Sequence, residues 1–387
     1  MAAGYDVVVV GGGIGGLTVA ALLSARGVST CVLERQSQVG GCIGRVEFSG
    51  FQFEPGMGVY TSFGQGEIYE RIFSELPVDV PQTSLVTQPY VVRLADGTDV
   101  KLIGDESFVD ELVVDLQLRA GVARARGPLY AIHGGPATLA ERLAESIKRS
   151  GGTVRLDTPV LRLAYDQSGE AIGVDLLSGE RVAARTAIVS NLTIWDTYGK
   201  LIGLNRTPSE IKKQLNALHG SGAYVVYATI EEAAIQRLPS GRMLVATTPT
   251  DADDDWFTEI TLAVHGRTVT LKSATDVNEW FTYHASEVDF EESDQAALER
   301  FWTKLHAAVP ELGSGIEIIE TANPRTFYDQ TRRKLGMVMG IQSSKIPSPQ
   351  TVLPNLFVAG DTVSPFPDLS SVAQTALSVA DAIKTKR

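Results

Sequence analysis

Residues 5–34, YDVVVVGGGIGGLTVAALLSARGVSTCVLE, decide how this chain is read. The run at 5–10 is short, β-branched and without alternation, the pattern of a parallel strand buried on both faces. Small residues at 17–26 predict a helix closed by Gly27, and 29–33 predict a second strand ending at Glu34. Gly11-x-Gly13-x-x-Gly16 alone is a weak pattern; between a strand and a helix it becomes a dinucleotide fingerprint. Gly11 serves the tight turn, Gly13 lets the backbone approach a pyrophosphate, and Gly16 lets helix and strand pack closely. The helix N-terminus turns its open N–H groups toward the phosphates. Glu34 is placed to accept hydrogen bonds from a ribose diol.

The bulk properties narrow the class. A length of 387 residues exceeds one ordinary core and predicts two domains. Hydrophobic residues at 44% and charged residues at 21% are ordinary globular usage. Asp+Glu number 46 against 34 Lys+Arg, and the net charge of −12 disfavours nucleic acid and anionic membrane surfaces as partners. The two cysteines, Cys31 and Cys42, form neither a disulfide framework nor a CxxC dithiol. No basic leader and no membrane-length apolar run appear, so a cytoplasmic, reducing compartment is expected. Peripheral membrane contact would suit delivery of an apolar substrate, although no basic amphipathic segment announces it.

Farther along, 136–150 predicts a helix with the apolar stripe Leu139, Leu143 and Ile147. Strands are expected at 153–156, 160–165, 171–177 and 187–190. Residues 200–324 alternate strands (223–230, 258–264, 268–272) with polar helices, and the acidic DADDD at 251–255 reads as a solvated turn rather than a metal site. A last buried strand at 356–359 leads through Gly360-Asp361 to a helix starting at 369. Two of these features favour FAD as the dinucleotide. Gly40-Gly41 stands where the chain would fold back over a long ligand. Asp361 is placed to hydrogen-bond a ribityl hydroxyl, and the helix after it to face the flavin pyrimidine, stabilising the anion formed on reduction. Gly220-x-Gly222 leads into the strand pattern AYVVYATI, so there is no dedicated NAD(P)H site. Electrons are expected to leave to oxygen, a quinone or another protein.

Six segments, in order and spread over nearly the whole chain, resemble the phytoene desaturase-related flavoproteins, a branch of the amine oxidase superfamily. They are the opening 5–34 stretch, VGGC…FEPG, HGGPATLAERLAESIKRSGGTV, TAIVSNLTIWDTYGKLI, TANPRTFYDQTRRKLGMVMG and NLFVAGDTVSPFPDLSSVAQTALSVADAI. The resemblance implies an α/β fold: a glutathione-reductase-type, Rossmann-like FAD-binding domain with an inserted α+β substrate domain. Residues 1–75, 128–200 and 325–387 would form the first, and 76–127 with 201–324 the second. It also implies that Gly11, Gly13, Ile14 and Gly16 cradle the pyrophosphate, that Glu34 holds the adenosine ribose, and that Arg35 lies beside the adenine. Val160 would touch adenine through its backbone. Gly41 and Cys42 would neighbour the cofactor, and Met57 and Gly58 would pass near the isoalloxazine. Gly360 and Asp361 would serve the ribityl chain, and Ser371 and Val372 would offer backbone amides to the pyrimidine.

The chain departs from that family in three places. The superfamily mostly carries Arg or Lys at position 42, reaching the phosphates, whereas retinol saturase-like relatives tend to carry Cys. No histidine lies nearby in sequence to activate the thiol, so Cys42 is expected to be a structural neighbour of non-covalent FAD, with Arg45 supplying the missing charge. SPFPDLSS replaces a glycine-rich lead into the last helix, where Asp368 must cap the helix or oppose reduced flavin. The chain is shorter than the larger polyene desaturases, so the substrate domain is reduced.

The expected activity is that of an FAD-dependent oxidoreductase acting on an unsaturated, largely apolar small molecule. It would be a desaturase, saturase or polyene isomerase, with hydride exchange at flavin N5. One alternative is a flavin amine oxidase, which needs an aromatic cage where the C-terminal stretch offers only Phe366. The other is a non-enzymatic escort protein of the same fold, disfavoured by the complete fingerprint. No catalytic residue stands out. His133, His265 and His284 read as satisfied or exposed, and Tyr60 and Tyr328 as cavity lining or, equally, core packing.

Overall fold

A computed structural model of the chain describes residues 4–56, 58–87, 90–102, 128–248, 257–285, 290–342 and 345–385. Met57 and the DADDD segment lie outside the described residues. The chain opens with β1 (Gly4–Val10), α1 (Ile14–Ala25) and β2 (Thr30–Leu33), then the hairpin β3 (Val46–Phe48) and β4 (Phe51–Phe53). Next come α2 (Ile68–Phe73), β5 (Thr83–Leu85), β6 (Tyr90–Arg93), β7 (Asp99–Leu102) and β8 (Tyr130–Ile132). Helix α3 (Ala137–Arg149) leads into β9 (Thr153–Arg155), β10 (Val160–Tyr165), β11 (Ala171–Leu176) and β12 (Arg181–Ser190). Beyond a helical stretch at 194–203 follow α4 (Ser209–Asn216), β13 (His219–Ile230), β14 (Arg242–Ala246), β15 (Glu259–His265) and β16 (Thr268–Asp276). The chain continues through α5 (Val277–Ala285), α6 (Phe290–Ala308), β17 (Ile316–Ala322) and α7 (Pro324–Thr331). It closes with β18 (Ile341–Gln342), β19 (Leu356–Val358) and α8 (Leu369–Thr385).

The first sheet has seven strands, in the order β10-β11-β12-β1-β2-β9, with β19 also paired to β12. Its centre is parallel, because β1 and β2 are joined through α1, a crossover that only parallel strands allow. One face carries α1, α3 and α8, the other the 194–203 stretch with Leu215, Val277 and Met337, so the central strands are buried on both sides. Every residue of α1 except Ala25 is buried, which explains why it has no polar face.

The second sheet has eight strands, in the order β17-β13-β16-β15-β14-β6-β7, with β18 pairing β13. One face packs on α6 through Tyr224, Phe257, Trp280 and Phe301. The opposite face meets the β3–β4 hairpin through Phe48, Phe53 and Tyr227, with each phenylalanine ring 5.1 Å from the tyrosine. No helix among the described residues is long and apolar enough to cross a membrane.

Three elements differ from the sequence expectation. Helix α1 starts at Ile14, not residue 17, because Gly15 and Gly16 are there for close packing rather than to break a helix. Strand β12 runs from Arg181. Its first half alternates and pairs antiparallel with β11, and only its last residues form a fully buried run. Strand β13 begins at His219, before the glycine pair. Gly220 and Gly222 are strand residues against which Met337 and Val277 pack too closely for a Cβ.

Candidate functional site

At the C-terminal end of β1 the backbone makes a loop of three consecutive glycines, Gly11 to Gly13, before α1. Gly11 has φ +100°, and Gly13 caps α1 without a side-chain hydrogen bond. The second glycine pair folds back onto this loop: the Gly40 N–H donates to the Gly12 carbonyl at 2.9 Å, and Gly41 lies against the Gly13 Cα. Gly40 and Gly41 take φ +116° and +58°, which glycine adopts without strain. Glu34 rims the loop, its carboxylate accepting the Gly12 N–H at 2.6 Å and the Gln36 N–H at 2.7 Å. Val160 is brought to the same end because Thr158 donates to the Glu34 carbonyl and Asp157 to that of Gln36. Arg35 instead turns outward and donates to the Gln330 carbonyl.

The far wall comes from β12 and β19. The Asn191 side-chain amide donates to the Ala359 carbonyl and fills the space between strand and helix. A Cβ on Gly13 would stand 2.5 Å from Asn191 Oδ1, and one on Gly16 would stand 2.5 Å from the Gly11 oxygen and 2.9 Å from Asn191 Cβ. No sequence pattern marks Asn191, since the glycines it serves lie far away along the chain. Gly360 follows β19, and the Asp361 carboxylate accepts from Arg333 Nη2 at 2.6 Å. Cys42 is only partly exposed. Burial pushes its thiol pKa up, the nearby Arg333 guanidinium pulls it the other way, and the net shift keeps the thiol protonated. Arg45 does not supply the charge position 42 lacks. It is about half exposed and bound to Glu141 at 2.9 Å, because the short turn after Cys42 carries it to the surface.

Beyond the glycines, the β3–β4 hairpin and the second sheet enclose a group of buried titratable side chains. Tyr60 Oη donates to Glu54 Oε1 at 2.6 Å. Thr270 Oγ1 pins the Glu54 carbonyl at 2.8 Å. The His265 ring and the Glu54 side chain both abut Gly58, at φ +66°. Burial raises the Glu54 and Tyr60 pKa values; the field of Arg242 opposes both shifts. His265 is neither satisfied nor exposed, contrary to the sequence reading. Its Nε2 is buried without a hydrogen-bond partner among the described residues, and burial with the charge of Arg242 lowers its pKa to about 4. Lys272 shares the Thr268–Thr270 face by strand alternation, and burial lowers its amine to about 8.

Three other expected positions fall differently. Tyr328 stands apart from the Tyr60 group: it is 38% exposed on α7, with the Arg332 guanidinium 5.3 Å from its ring centre. The Ser371 N–H donates to Asp368 Oδ1 at 2.8 Å and the Val372 N–H to the Asp368 carbonyl at 3.1 Å, so neither is open to a pyrimidine. The cause is that Asp368 caps α8, which also turns its charge onto the helix. His133, by contrast, is satisfied as the sequence reading expected: it bonds Ser84 across the β5–β8 pair.

A family model for flavin containing amine oxidoreductases matches residues 106–383, and one for NAD(P)-binding Rossmann-like domains matches 9–76. Carotenoid 3,4-desaturase of Haloarcula japonica is 32% identical over 123 residues, 31% of this chain and 24% of its own. All-trans-retinol 13,14-reductase of Danio rerio is 23% identical over 327 positions, 58% of this chain and 54% of its own. This chain thus spans about a quarter and about half of those two relatives. Prolycopene isomerase of Daucus carota is 20% identical, with 95% of this chain and 78% of its own covered. A crystal structure of an oxidoreductase from Methanosarcina mazei superposes with a TM-score of 0.69 at 16% identity, covering 97% and 99% of the two chains. A putrescine oxidase variant gives 0.66 at 14% identity, with both chains fully covered. At these identities the superpositions establish the fold.

Proposed function

The chain belongs to the flavin-containing amine oxidoreductase family, and from that premise we propose that it is an FAD-dependent oxidoreductase acting on an unsaturated, largely apolar molecule of the polyene kind. The observation that carries the reading is the Gly11–Gly13 loop at the start of α1, with Gly40-Gly41 folded back onto it and Glu34 bound to its Gly12 N–H. A dinucleotide needs such backbone access and N–H groups at a helix N-terminus. Glu34 would hold the adenosine ribose, Val160 would lie beside adenine, and Asp361 would serve the ribityl chain. The names of the relatives, a carotenoid desaturase, a retinol reductase and a prolycopene isomerase, support the substrate class. Residues 1–75, 128–200 and 325–387 would hold the cofactor, and 76–127 with 201–324 the substrate.

Bound FAD would supply hydride exchange at its N5. The chain's own residues would handle the rest. The packed rings of Phe48, Phe53 and Tyr227 would keep water away from the substrate side of the hairpin. Glu54, raised by burial and oriented by Tyr60, is the group suited to move the proton that accompanies hydride transfer. His265 would stay neutral and offer Nε2 as a hydrogen-bonding atom beside Gly58.

An absorption spectrum of the purified protein, before and after acid precipitation, tests the reading. Flavin bands that pass into the supernatant as FAD support a non-covalent flavoenzyme. Flavin left on the pellet would make Cys42 an attachment site. A colourless protein that FAD cannot reconstitute would sink the assignment.

A further inference from the structure

Deepening the flavin reading, and resting on it, we propose that Arg333 is the cation that meets the pyrophosphate of the dinucleotide. It stands on a backbone built to fix its direction. Arg332, Leu335 and Gly336 have φ of +57°, +50° and +67°, and the Pro324 carbonyl occupies the place where Gly336 would carry a side chain. The Lys334 N–H, next in the chain, is tied to Asp196 Oδ2 at 2.9 Å.

Two of the three guanidinium nitrogens are committed. Nη2 donates to Asp361 Oδ2 at 2.6 Å and Nε to the Met337 carbonyl at 2.6 Å. Nη1 has no hydrogen-bond partner among the described residues. Arg93, the buried arginine of the second sheet, behaves differently: Nε, Nη1 and Nη2 are all used, on Asp99, Glu311 and the Ala308 carbonyl. Arg93 is a finished structural cation, whereas Arg333 is an oriented one with a donor to spare.

Its position gives that donor a target. Nη2 ties the guanidinium to Asp361, two residues beyond Ala359, whose carbonyl abuts Gly15, and the field of Arg333 reaches Cys42, which follows the Gly41 that rests on Gly13. The guanidinium is thus fixed, through Asp361, at the strand end that meets the glycine loop, where a dinucleotide would pass. The glycines offer partial charges but no formal one to a dianionic pyrophosphate. Arg35 and Arg45 are both committed away from the glycine loop.

The test is FAD affinity, read from quenching of flavin fluorescence as FAD is added to the full chain stripped of flavin. Arg333→Gln should weaken binding about tenfold or more, the scale of a lost charge-assisted hydrogen bond. Cys42→Arg added to Arg333→Gln should recover most of the loss, returning the charge from the neighbouring position; a purely structural arginine would not be rescued in this way. If Arg333→Gln binds FAD as tightly as the parent, or more tightly, Arg333 merely closes the groove and the proposal fails while the flavin reading stands. A parent chain that does not bind FAD overturns both.

Discussion

Glu54 is where the proposed chemistry is most exposed to test. Glu54→Gln keeps the shape and the Tyr60 contact but cannot take a proton, and should lower turnover about 100-fold or more at unchanged FAD content. Rates within a fewfold of the parent would remove Glu54 from the mechanism. His265 sets a different limit. Folded, its pKa is lowered to about 4 from the ordinary 6.5, so between those values the unfolded chain binds more protons. Its contribution to stability is full above about pH 6.5 and is lost as the pH falls toward 4. Urea midpoints measured across that window should fall less steeply for His265→Gln than for the parent; equal slopes would contradict the buried, neutral ring. The glycines of the loop were legible in the sequence because a backbone requirement leaves a residue-type signature. His265, Asn191 and Arg333 were not, because each acquires its surroundings from a partner far along the chain.

At the scale of elements, caps carry the site. Asp368 spends its carboxylate and carbonyl on the first turn of α8. Asp368→Ala should cost about 1 kcal/mol of stability, read as a shift in denaturant midpoint; no shift would mean that α8 is held by packing alone. The interior strands and α3 could be read from pattern because burial sets their composition directly. The start of α1 and the first half of β12 could not. Glycine serves packing as well as breaking, and a strand that changes partner midway has no single period. The Ser371 and Val372 amides were assigned by resemblance, and local capping chemistry took them first.

At the scale of the molecule, the glycine loop draws on both the first and the last strands of one sheet, while the Glu54, Tyr60 and His265 group lies against another sheet. A ligand seated between them should stabilise the whole. FAD at about 100 times its Kd adds about 2.7 kcal/mol to a two-state unfolding free energy and should raise a single thermal transition. A transition that splits, with only one part responding, would show the two sheets to be uncoupled. The tie from Arg35 to Gln330 spans 295 positions, and that from Tyr69 to Leu369 spans 300. Contacts of such separation make folding slow, because loop-closure entropy is lost before they form. During synthesis the glycine loop therefore emerges long before Arg333 and Asp361 exist to face it. Cofactor capture, on the proposed reading, would be one of the last events in maturation, and a nascent chain waiting at that stage would present the open edge of its central sheet to the folding machinery of the cell.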